Sequence, residues 1–495
     1  MKKRLIALIL VCLMTSPLVT SCSNGDSKDE TTPESSAADP TDATETAEAE
    51  AETETTIYDD LPTGSYDGHC FNMLNVVSNY AYVLLTAEDI TGEPINDAVY
   101  NRNVADGDKL NVSFSENIVG WNDIGPAITN MVMSDEYTYD IVFDESQSCI
   151  KYPAKKQVLD LYDVPGLNFE KPWWDAGAID TLSIGDSLYM ANGDLHLMYG
   201  ESAWVLFLNK NMLDKLKLES PYEIVKEGRW TYDKLYEMVS SAAVDLNGDG
   251  KMDSDDQYGL ATHSDFSLVL LTSAGEQLIS KNENNVPEFK ELPEKVYDIS
   301  KKVHDQFFDL NYVYQAYLTK SGVETSGIVP HFMEGKSLFL SEVLGHGKTL
   351  RDMDDDFGII PSPKYDEAQE SYHTFVARSA QAMMIPITNR DLERTGVIVE
   401  NLGAESYKTV RPTYYDVQLS GKVARDKDSI EMLDIIFEGR RYEMAYIFGA
   451  NQLGSTYITA TANGTELASQ VAKLSKVLKK TMDKQLGGII AEEIG

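Results

Sequence analysis

The chain has 495 residues and a formal net charge of −38, with 80 acidic residues against 42 lysines and arginines. Nucleic acids and anionic lipid headgroups repel such a polyanion, so the charge argues against both as direct partners. The length is sufficient for two or three domains with large cores.

The N-terminus has the pattern of a lipoprotein export signal. Three basic residues precede an apolar run that begins at Leu5 and is too short to span a membrane. The run ends in Val-Thr-Ser-Cys at residues 19–22, which resembles a bacterial lipobox. We expect residues 1–21 to be a signal peptide and Cys22 to carry a lipid such as palmitate, holding the protein to the extracytoplasmic face of the cell membrane. An ordinary secretory signal is the alternative.

Residues 22–57 are predicted to be a tether. From residue 23 to residue 56 the chain has eleven acidic residues, one lysine, and no aromatic or branched aliphatic side chain. Such a segment buries too little apolar surface to offset the loss of chain entropy, so we expect it to be disordered. Its predicted role is to let the folded part move away from the membrane surface.

The remaining body alternates short β-like runs with amphipathic helical stretches, which predicts an α/β fold. Apolar residues recur at helical spacing in Val296–Phe307 and Leu467–Met482, and Thr231 is a suitable N-cap for another helix. Cys70 and Cys149 fit either a disulfide or two free thiols. The predicted strands are Phe71–Val77, Leu110–Phe114, Asp140–Phe143, Leu188–Met190, Val205–Leu208, Ser337–Leu340, Phe357–Ile360 and Ala382–Ile385.

A series of short motifs resembles the family 1 extracellular solute-binding proteins, the carbohydrate receptors of ABC importers. Phe207–Leu213 (FLNKNML) is similar to a strand-to-helix crossing of that family, and Gly228–Leu235 (GRWTYDKL) is similar to the helix start that follows it. Leu208 replaces the family's usual aromatic residue, and the body is longer than that of compact members. Three further motifs follow in the family's order at Tyr258–Leu260, Phe332–Lys336 and Phe357–Pro363.

The resemblance implies a two-lobed type 2 periplasmic-binding-protein fold, an α/β architecture with a ligand cleft between the lobes. The expected N-terminal lobe is 58–203 with 370–408, and the expected C-terminal lobe is 204–369 with 409–495. About three hinge crossings are expected, near residues 200–206, 356–376 and 404–412.

The same resemblance implies a binding protein that is not an enzyme. It would act as a monomer that captures an oligosaccharide and delivers it to the membrane subunits of an ABC importer. The membrane would be a partner only through the lipid anchor. Two alternatives stay open: a surface glycan-binding lipoprotein without a transporter, and a receptor of the same fold for a peptide or an anionic saccharide.

An acidic loop predicts a calcium site. Residues 245–256 (DLNGDGKMDSDD) place oxygen-bearing side chains at positions 1, 3, 5, 9 and 12 and a glycine at position 6, as in an EF-hand-type loop. We expect a structural ion, with a solvated acidic turn as the alternative. The predicted ligands are Asp245, Asn247, Asp249, the carbonyl oxygen of Lys251, Asp253 and Asp256.

Sugar-binding sites combine flat aromatic faces with carboxylate and amide groups that bind hydroxyls. Residues of these types follow predicted strands or lie at predicted crossings, where the fold would direct them to the cleft. For each of them, ordinary packing or surface exposure is the alternative, and Trp173 and Trp174 fit either the core or the cleft. The predicted ligand-binding residues are Asn79, Tyr80, Trp121, Asp144, Glu145, Glu201, Trp204, Glu342, Arg378, Tyr414 and Tyr415.

Overall fold

The computed structural model of the chain describes residues 57–77, 85–316, 327–418 and 427–493. The predicted signal peptide, Cys22, the tether up to residue 56, and the site residues Asn79 and Tyr80 lie outside the described residues. From Ile57 onward the described residues belong to one compact unit. Among their helices, none has the length and apolar character that crossing a bilayer requires.

Strands and helices alternate along this unit. The strands are β1 (His69–Val76), β2 (Val112–Val119), β3 (Ile141–Glu145), β4 (Trp204–Asn209), β5 (Tyr258–His263), β6 (Ser280–Lys281), β7 (Pro287–Glu288), β8 (Val313–Ala316), β9 (Ser337–Val343), β10 (Phe357–Ile360), β11 (Thr374–Phe375), β12 (Gln381–Met384) and β13 (Arg440–Arg441). The helices are α1 (Pro94–Leu110), α2 (Ile124–Met133), α3 (Ser146–Cys149), α4 (Ala176–Leu182), α5 (Met198–Glu201), α6 (Lys210–Leu216), α7 (Pro221–Lys226), α8 (Tyr232–Ala242), α9 (Phe266–Ser273), α10 (Glu294–Phe307), α11 (Ile328–Met333), α12 (Gly347–Leu350), α13 (Leu392–Glu405), α14 (Arg411–Gln418), α15 (Lys427–Glu438), α16 (Met444–Ile447), α17 (Asn451–Asn463) and α18 (Leu467–Glu493).

Two sheets organise the fold, and we refer to the parts built on them as the first and second lobes. The first sheet has the order β12-β3-β1-β2, in which β1 runs parallel to β2 and β3 while β12 runs antiparallel to β3. The second sheet has the order β10-β4-β9-β5-β8, in which β4 is antiparallel to both of its neighbours. Every residue of β4 is buried, as expected for a central strand between layers of helices.

One predicted strand is wrong. Residues 188–190 form no strand, because their backbone groups bond elsewhere. The Leu188 N–H donates to the Asp160 carboxylate at 2.9 Å, and the Leu188 carbonyl accepts from the Leu161 N–H at 2.6 Å. Only the following residue, Ala191, pairs with Met383 of the first sheet.

Helix α8 begins where the sequence predicted. The Thr231 side chain caps it by accepting from the Lys234 N–H at 3.4 Å, and the helix buries the predicted apolar face. Gly259 of β5 allows this helix to lie close to the second sheet, because a Cβ atom at that position would be 2.0 Å from the Val239 carbonyl oxygen. Local capping and one glycine therefore fix how α8 packs.

The chain passes from the first sheet to the second just before β4, and returns in the segment that leads into β12. These two segments run side by side, since Ala203 pairs with Val376 and the Ala377 N–H donates to the Ser202 carbonyl at 2.9 Å. Residues 404–412 continue α13 through a π-helical turn, Ser406–Val410, into α14.

The C-terminal helices contact both lobes. Helix α17 packs on α9 and α10 beside the second sheet, and α18 packs on α17 and on the turn Pro153–Lys155, which follows β3 of the first sheet. Cys70 is exposed and Cys149 is buried, and both thiols are free.

Candidate functional site

The candidate site lies where the ends of the two sheets meet. In the first sheet β3 ends at Glu145, opposite the start of β12. In the second sheet β9 ends beside the first residue of β4, with Trp204 opposite Val343. Because the segment into β12 passes both edges, Arg378 comes to lie between them. The predicted residues Glu145, Trp204, Glu342 and Arg378 are thus brought to one region.

Trp204 forms part of the floor of this region. Its side chain is buried, and the indole N–H donates to the Ser341 hydroxyl at 2.7 Å. The ring centroid lies 5.0 Å from the His263 ring and 6.0 Å from the Phe375 ring, so neighbouring side chains cover it. Trp204 therefore positions His263 and shapes the site, and its ring has little free surface for stacking on a sugar.

Glu342 lies between two histidines. Its carboxylate oxygens are 3.6 Å from Nε2 of His263 and 3.9 Å from Nε2 of His346. Burial disfavours charge on both Glu342 and His263, but their mutual attraction prevails, so the pKa of Glu342 is lowered and the pKa of His263 is raised. The pair offers a ligand a hydrogen-bond acceptor and a donor side by side, the combination that sugar hydroxyls need.

Arg378 and Glu145 line the first-lobe side. The Arg378 guanidinium lies 4.8 Å from the Tyr446 ring and 3.9 Å from the Asp265 carboxylate of the second lobe, and its side chain is 40% exposed. The Glu145 carboxylate accepts from the Gln147 amide at 2.7 Å, and burial raises its pKa. The region therefore contains charged groups from both lobes.

Three other predicted residues have different surroundings. Asp144 is buried within the first lobe, where it accepts from the Tyr152 hydroxyl at 2.7 Å and pairs with Lys151 at 3.1 Å. Glu201 is fully buried in α5, and Trp121 is half-exposed after β2.

Tyr414 and Tyr415 belong to a different environment on α14. Tyr414 is buried in the core, and the Tyr415 hydroxyl accepts from Arg411 at 3.2 Å. Arg411 in turn pairs with Asp194 at 3.4 Å. No described contact joins these two tyrosines to Glu342 or Arg378.

Sequence reasoning missed His263, Asp265 and Tyr446. His263 ends β5, which runs parallel to β9, so it occupies the same edge of the sheet as Glu342. The short run from Tyr258 was a strand signal, and the polar residues after it were available candidates. Tyr446 had no such signal, because a distant helix near the C-terminus brings it to the site.

Trp173 and Trp174 belong to the core. Both indole N–H groups donate to the carboxylate of Glu400, at 3.1 Å and 3.0 Å. This carboxylate also accepts from the Asn168 N–H, yet burial outweighs these bonds and raises its pKa to about 7. The two tryptophans therefore hydrogen-bond to a buried acid of α13.

The acidic loop at residues 245–256 is folded around its own side chains. Asp245 accepts from the N–H groups of Gly248 and Gly250, at 2.7 Å and 2.8 Å, and both glycines have positive φ. The buried Asp256 closes the loop by accepting from Leu246 and Asp253. Within the described ranges, no three His, Cys, Asp or Glu side chains form a group ready to hold a metal.

A cavity of about 600 Å³ lies elsewhere, between α4 and residues 275–293. Its described lining has no aromatic side chain and contains none of the residues discussed above. We therefore take the region between the sheet ends as the candidate functional site.

No protein-family description and no curated protein matches this chain. Solved structures do match its fold. The ABC substrate-binding protein Lmo0181 from Listeria monocytogenes, in complex with cycloalternan, aligns over 85% of this chain and 100% of its own, with a TM-score of 0.54 and 13% identity. A sugar transporter protein from Rhizobium etli in an open conformation covers 82% and 99%, with a TM-score of 0.55 and 14% identity. The maltose/maltodextrin-binding domain MalE from Bdellovibrio bacteriovorus, bound to maltotriose, covers 84% and 99%, with a TM-score of 0.51 and 13% identity.

At these identities the likeness is one of fold. The chain has the two-lobed α/β fold of ABC-transporter substrate-binding proteins, and the predicted fold class is confirmed.

Proposed function

We propose that this protein is an extracytoplasmic solute-binding protein that captures an oligosaccharide and delivers it to the membrane subunits of an ABC importer. It would act as a monomeric receptor and not as an enzyme. The observation that carries this proposal is a site between two lobes in which each lobe supplies polar groups. Proteins that share the fold are described as binding cycloalternan and maltotriose.

A ligand in this site would contact Glu342 and His263 of the second lobe together with Glu145 and Arg378 beside the first. A ligand that binds both lobes stabilises their closed arrangement, because the full set of contacts exists only there. Closure is the signal that importer subunits would read.

The test is a thermal-shift and calorimetric screen of the purified protein against neutral and acidic oligosaccharides. A ligand that binds only the native state raises the melting temperature in proportion to the logarithm of its concentration. Glu342→Gln should weaken binding of any active sugar by tenfold or more, whereas Glu237→Gln on α8, whose side chain is 68% exposed, should not. No shift with any saccharide would refute the proposal.

We propose that a lipid on Cys22 holds the receptor at the extracytoplasmic face of the cell membrane. The support is the sequence of residues 1–22 and the acidic tether that follows. Metabolic labelling with a palmitate analogue should mark the native chain and leave a Cys22→Ala chain unmarked. Equal labelling of both chains would refute the anchor.

We also propose that calcium binds the loop at residues 245–256. The support is the loop order of its oxygen-bearing side chains and the turns at Gly248 and Gly250, which already direct Asp245 inward. When bound, the ion would be held by the six predicted ligands and would stabilise the loop before β5. Calcium should raise the melting temperature and a chelator should lower it, and Asp249→Ala should abolish both effects. An unchanged melting temperature would exclude the ion.

A further inference from the structure

We infer that the ligand of this site carries a carboxylate, as a uronic acid oligosaccharide does, and that Arg378 binds that carboxylate. The inference rests on the proposed function and narrows it to one class of saccharide. The evidence is the unused hydrogen-bonding capacity of the Arg378 side chain, the contacts that hold it in place, and the partners of the acids around it.

The guanidinium of Arg378 has unused hydrogen-bonding capacity. It presents five N–H donors in a fixed planar fork. Its nearest carboxylate, on Asp265, is 3.9 Å away, which is longer than a hydrogen bond, and no other described residue accepts from it. The other arginines of the described residues all have closer partners: Arg411, for example, is 3.4 Å from Asp194, and Arg440 is 2.9 Å from Asp175.

The backbone around Arg378 is held in place before any ligand binds. The Ala377 N–H donates to the Ser202 carbonyl at 2.9 Å, and the Ala380 carbonyl accepts from both the N–H and the hydroxyl of Ser146. The Gln147 N–H donates to the Arg378 carbonyl at 3.3 Å. With its guanidinium also on the Tyr446 ring, the fork is already oriented, so a ligand need not order it.

The other acids of the site already interact with neighbouring side chains of the protein. Glu342 lies between His263 and His346, at 3.6 Å and 3.9 Å from their Nε2 atoms. Glu145 accepts a hydrogen bond from the Gln147 amide, and burial raises its pKa. Asp265 lies 3.9 Å from Arg378 and Glu145 attracts it electrostatically, but neither carboxylate accepts a hydrogen bond from its guanidinium. A ligand carboxylate would fill that fork with two parallel, charge-assisted hydrogen bonds, which a neutral sugar hydroxyl does not supply.

The experiment uses pairs of saccharides that differ only at the carboxyl group. Oligosaccharides from pectin, glucuronoxylan, alginate and hyaluronan are each measured before and after carboxyl reduction, by calorimetry with the purified protein. An acidic member should bind, and its reduced form should bind about 10- to 100-fold more weakly, since one charge-assisted contact is lost.

Variants then assign the effect to Arg378. Arg378→Gln should lower the affinity for the acid to that of its reduced form, while Arg378→Lys, which keeps the charge but not the fork, should fall between. Arg390→Gln is the matched control, because this arginine is 50% exposed and pairs with Asp135 away from the site. Its affinity should equal that of the native protein.

Three outcomes would overturn the inference. Equal or tighter binding of the reduced saccharide would do so and leave the carbohydrate receptor standing, as would binding confined to neutral sugars. An acid-selective site that Arg378→Gln does not change would assign the carboxylate to another residue. Silence towards both the acidic pairs and the neutral panel would refute the proposed function itself.

Discussion

Glu400 is a buried acid whose two indole donors can be removed one at a time, so its energetics can be tested directly. Burial, opposed by the bonds from Trp173 and Trp174, raises its pKa from 4.5 to about 7. A carboxyl group with a raised pKa favours the folded state when protonated. Its contribution is therefore complete below pH 4.5 and is lost as pH rises through 7, by about 3 kcal/mol in all.

The perturbation is Trp173→Phe, which removes one donor and keeps an aromatic ring in place. At pH 8 the lost bond is to a charged carboxylate and is worth about 1.5–3 kcal/mol, whereas at pH 5 it is to a neutral acid and is worth about 0.5–1.5 kcal/mol. The free energy of unfolding, measured by urea denaturation, should therefore fall more at pH 8 than at pH 5.

The matched control is Trp230→Phe. The Trp230 indole is also fully buried, but it donates to the uncharged Pro361 carbonyl at 2.9 Å. The free energy of unfolding that this variant loses relative to the native protein should be the same at pH 5 and at pH 8. If Trp173→Phe also cost the same at pH 5 and pH 8, Glu400 would not be ionised at the higher pH, and the reasoning would be wrong.

Three further predictions concern stability. Thr231→Ala should lower the free energy of unfolding by about 1 kcal/mol, because it removes the cap of α8, and Thr231→Ser should restore most of the loss in urea denaturation. Equal stability of the two variants would show that the cap does not stabilise the helix. Gly259→Ala should prevent soluble expression or lower the melting temperature sharply, since its methyl group would overlap the Val239 backbone; a native melting temperature would show that α8 can move away. Asp175→Asn should destabilise by about 3–5 kcal/mol, because it leaves the buried Arg440 charge without its 2.9 Å partner, and a loss under 1 kcal/mol would contradict the pairing.

Local patterns in the sequence predicted much of the fold. Phe357–Ile360 was predicted with its observed bounds, and α8 follows from its cap and its apolar face. These features depend on residues close together in the chain. Residues 188–190 have the composition of a strand, but their hydrogen bonds go to a neighbouring turn, which only the tertiary structure reveals.

Local patterns in the sequence also predicted part of the candidate site. Glu145 and Glu342 were found because each lies at or near the end of a strand, where parallel strands direct their next residues to one edge. Tyr414 and Tyr415 lie on a helix beside a predicted crossing, and the turn of that helix places them among Arg411 and the core. The exposed fork of Arg378 depends on contacts from three distant segments, and spacing in the sequence does not encode these.

The last helix of the chain has a consequence for folding order. Helix α18 buries Leu478, Met482 and Leu486 against α17 and against elements of both lobes. A ribosome makes this segment after both sheets, so neither lobe can complete its apolar surface until α18 has been synthesised. A chain cut short before residue 467 would expose these contact surfaces and aggregate, so native folding is conditional on the synthesis of α18.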